Sequence, residues 1–222
     1  MGQAISIRVP QMDPVGGWRA DPVGVQRGAL VVAQEIFGVN AHMRSVVDRF
    51  AEEGFVAIAP ALFDPVKRDV VLAYGPDAVA NGRELVAALG FDRAIAIVEA
   101  TVRELQDEGH NVGVVGYCWG GSVAFLANTR LGLPAVSYYG ARTVPFLGEP
   151  LHAPMLFHFG ADDSSIPGSD IELHRRKQTD AEVHVYPGGH AFNRDVDPTH
   201  YHAQSAALAL QRTLAFFAAN LQ

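Results

Sequence analysis

The chemistry in this chain of 222 residues converges on its only cysteine. Cys118 stands within Gly116-Tyr117-Cys118-Trp119-Gly120-Gly121. An apolar stretch, Val112 to Val115, reads as a strand just before it, and Ser122 to Thr129 reads as a helix behind it. A nucleophile on a sharp strand-to-helix turn needs small neighbours, because the two backbones approach closely there. The helix N-terminus then aims backbone N–H groups at the thiol. These lower its pKa and can hold an oxyanion. A lone cysteine is more often a small core residue. The glycines, the strand–turn–helix setting and the partners downstream favour a nucleophile instead.

Such a thiol needs a base and a group that orients the base. Downstream, Gly160-Ala161-Asp162-Asp163-Ser164-Ser165-Ile166-Pro167 follows a strand ending at Phe159. Gly188-Gly189-His190-Ala191-Phe192 then follows a strand ending at Tyr186. The order nucleophile, acid, histidine is that of α/β-hydrolases. Both loops leave strand ends, where ligands bind in open α/β sheets. Loop register alone leaves both Asp162 and Asp163 open as the acid. His158 lies inside a strand and reads as a core residue. His152, His174, His184, His200 and His202 read as surface or structural positions. His200 and His202 lack the i, i+4 spacing of a helical zinc pair. No coherent ligand set emerges, so neither metal nor cofactor is expected.

Elements that could position these residues follow from periodicity. Short apolar runs alternate with amphipathic ones, the pattern of βαβ units. Strands are expected at Ala29 to Ala33, Phe55 to Ala59, Val112 to Val115, Ala135 to Tyr139, Met155 to Phe159 and Val183 to Tyr186. A helix carries Met43, Val46, Val47, Phe50 and Ala51 on one face, with Asn40 as N-cap and Gly54 as stop. Further helices are expected at Phe91 to Asp107, Ile171 to Gln178 and His202 to Asn220. Residues 64–90, with Pro65, Gly75, Pro76 and Gly82, read as a short excursion over the sheet. The whole of 1–222 reads as a single α/β domain with a mostly parallel central sheet and helices on both faces.

Bulk properties narrow the partners. The chain is 49% hydrophobic and 18% charged, with a formal charge of -7. That balance argues against nucleic acid or an anionic membrane as partner. No apolar run approaches the ~18 residues of a membrane helix. No cationic start with an apolar run marks a secretory signal. A cytoplasmic, monomeric protein is the expectation.

At these residues the chain resembles the dienelactone hydrolase family. The resemblance rests on Gln34-Glu35-Ile36-Phe37-Gly38, the Cys118 run, Ser137-Tyr138-Tyr139-Gly140, Asp163 with Ile166-Pro167, and Gly189-His190-Ala191-Phe192. It implies an α/β-hydrolase fold and a triad of Cys118, His190 and Asp163, selecting Asp163 over Asp162. It also implies that Glu35 helps generate the thiolate when substrate enters; without the resemblance Glu35 reads as a solvated loop carboxylate. Ile36 and Trp119 would supply the two oxyanion amides. Phe37 and Tyr139 would line the pocket, and Arg194 would bind a substrate carboxylate, for which a guanidinium is suited. The implied reaction is hydrolysis of a small ester or lactone, of the carboxymethylenebutenolide-to-maleylacetate type, through an acyl-enzyme on Cys118.

Two departures bear on the substrate. Asp64 stands near where well-studied members carry a second substrate-binding arginine, and Arg68 is not equated with it. Ala191 follows His190 where those members carry serine. Neutral small esters are therefore an alternative, as is a ligand-binding homologue without turnover. Thiol redox chemistry is a weaker rival, because no second cysteine can resolve a disulfide.

Overall fold

The computed structural model describes residues 1–221. The chain divides into two compact units, Met1–Gly113 together with Leu221, and Val114–Asn220. In the first unit, β1 (Gln3–Ile7) pairs antiparallel with β2 (Val15–Ala20). Strand β2 pairs antiparallel with β4 (Val56–Pro60), and β4 pairs parallel with β3 (Ala29–Ala33). Every residue of β3 and β4 is buried. Unbroken Ala, Val, Leu and Ile, without polar alternation, is the pattern of a strand covered on both faces.

Helix α1 (Ala41–Glu52) packs on β2 and β4. Asn40 caps it, its side-chain oxygen accepting from the Met43 N–H at 3.0 Å. The face expected from periodicity, Met43 to Ala51, is the buried one. Helix α2 (Pro76–Asp107) packs on β3 and β4 and is two helical stretches joined at Gly90, whose φ of 74° breaks the ladder. The second stretch matches the expected helix at Phe91 to Asp107. The first was hidden by its apparent breakers. Pro76 sits at the start of the helix, where proline needs no N–H partner, and Asp77 favours the same end. Part of the 64–90 excursion is therefore helical. Strands β1 and β2 were not anticipated either. β1 is mostly exposed and β2 opens Val-Gly-Gly, so neither carries a long apolar signal.

In the second unit, which takes β5 (Val112–Tyr117) from Val114 onward, β5, β6 (Ala135–Tyr138), β7 (Met155–Gly160) and β8 (Glu182–Tyr186) pair in that order, all parallel. Helix α3 (Trp119–Leu131) packs on β6, and α5 (Ala203–Asn220) on β7; α4 (Gly168–Lys177) links β7 to β8. Residues 119–129 of α3 are all buried. Its one buried amide, Asn128, donates to the carbonyls of Leu133, Ala153 and Pro154 at 2.9–3.0 Å. That ties the helix end to the turns that start β6 and β7. Register places Tyr117 opposite Tyr138, and Tyr138 opposite His158. The carboxyl ends of β5 and β6 therefore finish level, which fixes where the next residues, Cys118 and Tyr139, begin.

Candidate active site

Cys118 occupies the turn between β5 and α3 with φ 55° and ψ -121°. A non-glycine residue in this region costs about 1–3 kcal/mol and persists only when its surroundings dictate it. Here they do. The Cys118 N–H donates to the Tyr138 carbonyl at 3.0 Å, and the Cys118 carbonyl accepts from the Gly121 N–H at 2.9 Å. The flanking glycines are required by contact. A Cβ on Gly116 would lie 1.8 Å from the Gly120 carbonyl oxygen, and one on Gly121 would lie 2.7 Å from the Ser137 hydroxyl. Trp119 is the first residue of α3, so its amide stands at the positive end of the helix.

His190 follows β8 and meets both partners the sequence proposed for it within this unit. Its Nδ1 lies 2.7 Å from Asp163 Oδ2. The other Asp163 oxygen accepts from the Ser165 N–H at 2.8 Å, and the carboxylate is wholly buried. Asp162 is exposed and serves the loop through its backbone, donating its N–H to the Gly188 carbonyl at 2.9 Å. The contact that separates the two aspartates is thus made by Asp163. The Cys118 side chain is close enough to His190 to act on the imidazole electrostatically. Burial pushes the His190 pKa down. The Cys118 charge and the hydrogen bond accepted by Asp163 together outweigh it, and the pKa is raised to about 10. The arrangement suits a charged imidazole beside the Cys118 sulfur.

Tyr139 has a φ of 40° and no solvent exposure. Its ring centre lies 4.9 Å from that of His190, tilted by 59°, and its hydroxyl donates to Asn193 Oδ1. Arg194 is buried, and its Nη1 lies 3.2 Å from Asp197 Oδ2. The same oxygen lies 2.7 Å from His200 Nδ1. Burial would raise the Asp197 pKa, but the His200 and Arg194 contacts outweigh it and hold the carboxyl below its ordinary value. His158 is the core residue it was expected to be. It is fully buried between Tyr186 at 2.8 Å and Thr213 at 3.0 Å, and burial holds its pKa well below the ordinary value.

The N-terminal unit holds the remaining residues. Glu35, Ile36 and Phe37 are all buried, so Glu35 is no solvated loop carboxylate. The Tyr74 hydroxyl donates to Glu35 Oε2 at 3.4 Å and accepts from Asn40 Nδ2 at 3.2 Å. Tyr74 also meets the Phe37 ring edge-on at 4.8 Å. Gln34 holds the strand exit, its side chain accepting from the Leu62 N–H at 3.2 Å. Asp64 accepts from the N–H groups of Gly16 at 2.7 Å and Asp69 at 3.2 Å, a turn-forming role. Arg68 is exposed and donates to the Pro14 carbonyl at 3.2 Å.

Three residues in contact with expected site residues escaped the sequence: Tyr74, Asn193 and Asp197. Asn193 and Asp197 do lie in the loop after His190, but no spacing rule marks them. Among the described residues, no group of three or more His, Cys, Asp or Glu is placed to hold a metal ion. No helix among them is long and apolar enough to cross a membrane.

The chain is also similar to known proteins. Residues 15–221 match the model of the dienelactone hydrolase family. The carboxymethylenebutenolidase of Pseudomonas putida is 31% identical, over 97% of this chain and 96% of that protein. A Synechocystis protein provisionally given the same name is 33% identical, over 94% of this chain and 93% of its own length. A crystal structure from Klebsiella pneumoniae, provisionally named a dienelactone hydrolase, superposes with a TM-score of 0.86 at 30% identity, over 98% of this chain and 99% of that one.

Proposed function

Since the chain belongs to the dienelactone hydrolase family, we propose that it hydrolyses a small ester or lactone through a thioester on Cys118. The fold is the α/β-hydrolase fold, with a mostly parallel sheet, and the protein is a hydrolase acting on small molecules. One observation supports the proposed chemistry above the rest. A single imidazole bonds Asp163 through Nδ1 at 2.7 Å and feels the charge of Cys118, which stands at the N-terminus of a helix.

The cycle follows from that arrangement. The Cys118 sulfur attacks the carbonyl carbon, and the C=O electron pair moves to oxygen. The amides of Trp119 and Ile36 donate to that oxyanion, the second in the role the family resemblance implies. Collapse breaks the bond to the alkoxide leaving group, which takes the proton from His190. A lactone's alkoxide stays tethered to the acyl group, so its proton is delivered locally. His190, now neutral and oriented by Asp163, removes a proton from water as the water attacks the thioester. The acid product leaves and the thiolate returns. Glu35 keeps its implied role, drawing the thiol proton as substrate enters and returning it to sulfur once the acid has left, and Phe37 and Tyr139 line the acyl site. Each step uses a protein group and water, so the proposed cycle calls on no metal or cofactor.

A second substrate reading is favoured by the Arg194–Asp197 pair. A guanidinium already 3.2 Å from a carboxylate offers less net charge to an anionic substrate. On that reading neutral aryl esters compete with dienelactone. The test is turnover of dienelactone against neutral activated esters by wild type, Cys118→Ala and Asp197→Asn. Loss of all turnover in Cys118→Ala with the fold retained is the expected result, and retained turnover would sink the thioester proposal. A gain for the anionic substrate in Asp197→Asn supports the second reading; no change in preference removes it.

A further inference from the structure

We infer that Tyr139 and Asn193 form a latch that positions His190 against Cys118. The inference deepens the hydrolase reading above and rests on it for the meaning of the triad. Among the described residues of the C-terminal unit, three non-glycine residues have a positive φ: Cys118 at 55°, Tyr139 at 40° and Ala191 at 62°. One is the thiol residue, one follows β6, and one follows His190 directly. Strained backbone of this kind needs neighbours that hold it. For Cys118 the neighbours are the Tyr138 carbonyl and the Gly121 amide, and for Tyr139 the His158 carbonyl, which accepts its N–H at 2.8 Å.

The His190 loop needs a tie of its own. The Arg194 N–H donates to the Ala191 carbonyl at 2.9 Å, which closes a turn within that loop. The Tyr139 hydroxyl, donating to Asn193 Oδ1, joins the loop to the exit of β6 across 54 positions of sequence. Between these two ends lies the imidazole. Its hydrogen bond to Asp163 is made at the ring edge and tolerates tilting of the ring. The Tyr139 ring, 4.9 Å away and inclined by 59°, limits that tilt. Tyr139 is fully buried, so its ring stays fixed by its surroundings. Tyr139 and Asn193 are positioning residues here, acting through His190.

The experiment compares Tyr139→Phe, Asn193→Ala and the double variant with wild type. It measures kcat and KM on an activated aryl ester, the rate of Cys118 alkylation by iodoacetamide, and the thermal midpoint. The latch predicts a fall in kcat of about tenfold in each single variant, with KM little changed. Alkylation slows in parallel, because a displaced imidazolium stabilises the thiolate less. The double variant is no worse than either single one, since both remove the same bond. A purely structural bond would lower the thermal midpoint and leave kcat and alkylation alone. That outcome, or additive losses in the double variant, overturns the latch. If Tyr139→Phe folds poorly, Asn193→Ala carries the test, because its side chain lies in a partly exposed loop. If wild type turns over no ester, the hydrolase reading fails, and alkylation still decides the latch.

Discussion

Two carboxylates stand side by side in the loop after β7, and only one is placed to orient a base. Asp163 is buried, bonds His190 at 2.7 Å and is held by the Ser165 amide; Asp162 is exposed. Removing the charge while keeping the shape separates them. Asp163→Asn should lower kcat by roughly a hundredfold or more, because an amide in that position favours the wrong imidazole tautomer. Asp162→Asn should leave kcat close to wild type. Steady-state kinetics on one activated ester reads both, and a large loss in Asp162→Asn would reverse the assignment. The sequence could not make this choice from spacing, since adjacent residues in a loop differ by a turn that periodicity does not encode. Only the resemblance to known hydrolases favoured Asp163.

At the scale of elements, the glycines around Cys118 are constrained by distance. A methyl on Gly116 would stand 1.8 Å from a backbone oxygen of α3, which no side-chain rotation relieves. Gly116→Ala should therefore destabilise the fold by at least about 3 kcal/mol, or prevent folding. Chemical denaturation measures it, and a stability within 1 kcal/mol of wild type, by that order-of-magnitude scale, would mean that strand and helix separate easily. This turn was legible in the sequence because its requirements are local: small residues, an apolar strand before and a helix after. The strands β3 to β7 were legible for the same reason, as buried parallel strands are largely apolar runs. The first stretch of α2 was not, because Gly75-Pro76 marks a helix start and a loop alike. Strand β2 was obscured by Gly16-Gly17, where pairing to β1 and β4 overrides weak propensity. The Tyr139–Asn193 and Arg194–Asp197 contacts depend on side-chain directions in irregular loops, which no periodicity announces.

For the whole molecule, the raised pKa of His190 ties stability to pH. A group whose folded pKa lies above its unfolded value stabilises the fold most below the unfolded value. For His190 that contribution is complete below about 6.5 and disappears as pH rises through about 10. The stability gap between wild type and His190→Gln should therefore shrink across that window, followed by denaturant unfolding at several pH values. In Cys118→Ala the loss should be complete at lower pH, since the Cys118 charge is the largest cause that raises the His190 pKa. A gap that is flat with pH would mean that the imidazole is not charged in the folded protein. The proposed reaction uses the same two residues, Cys118 and His190, and its defining species is an acyl group on sulfur. Mass spectrometry of the enzyme quenched during turnover of an activated ester tests for it most directly. The account predicts one acyl mass on the peptide carrying Cys118, released by hydroxylamine and absent in Cys118→Ala. Turnover with no adduct on that peptide, persisting when Cys118 is replaced, would contradict it.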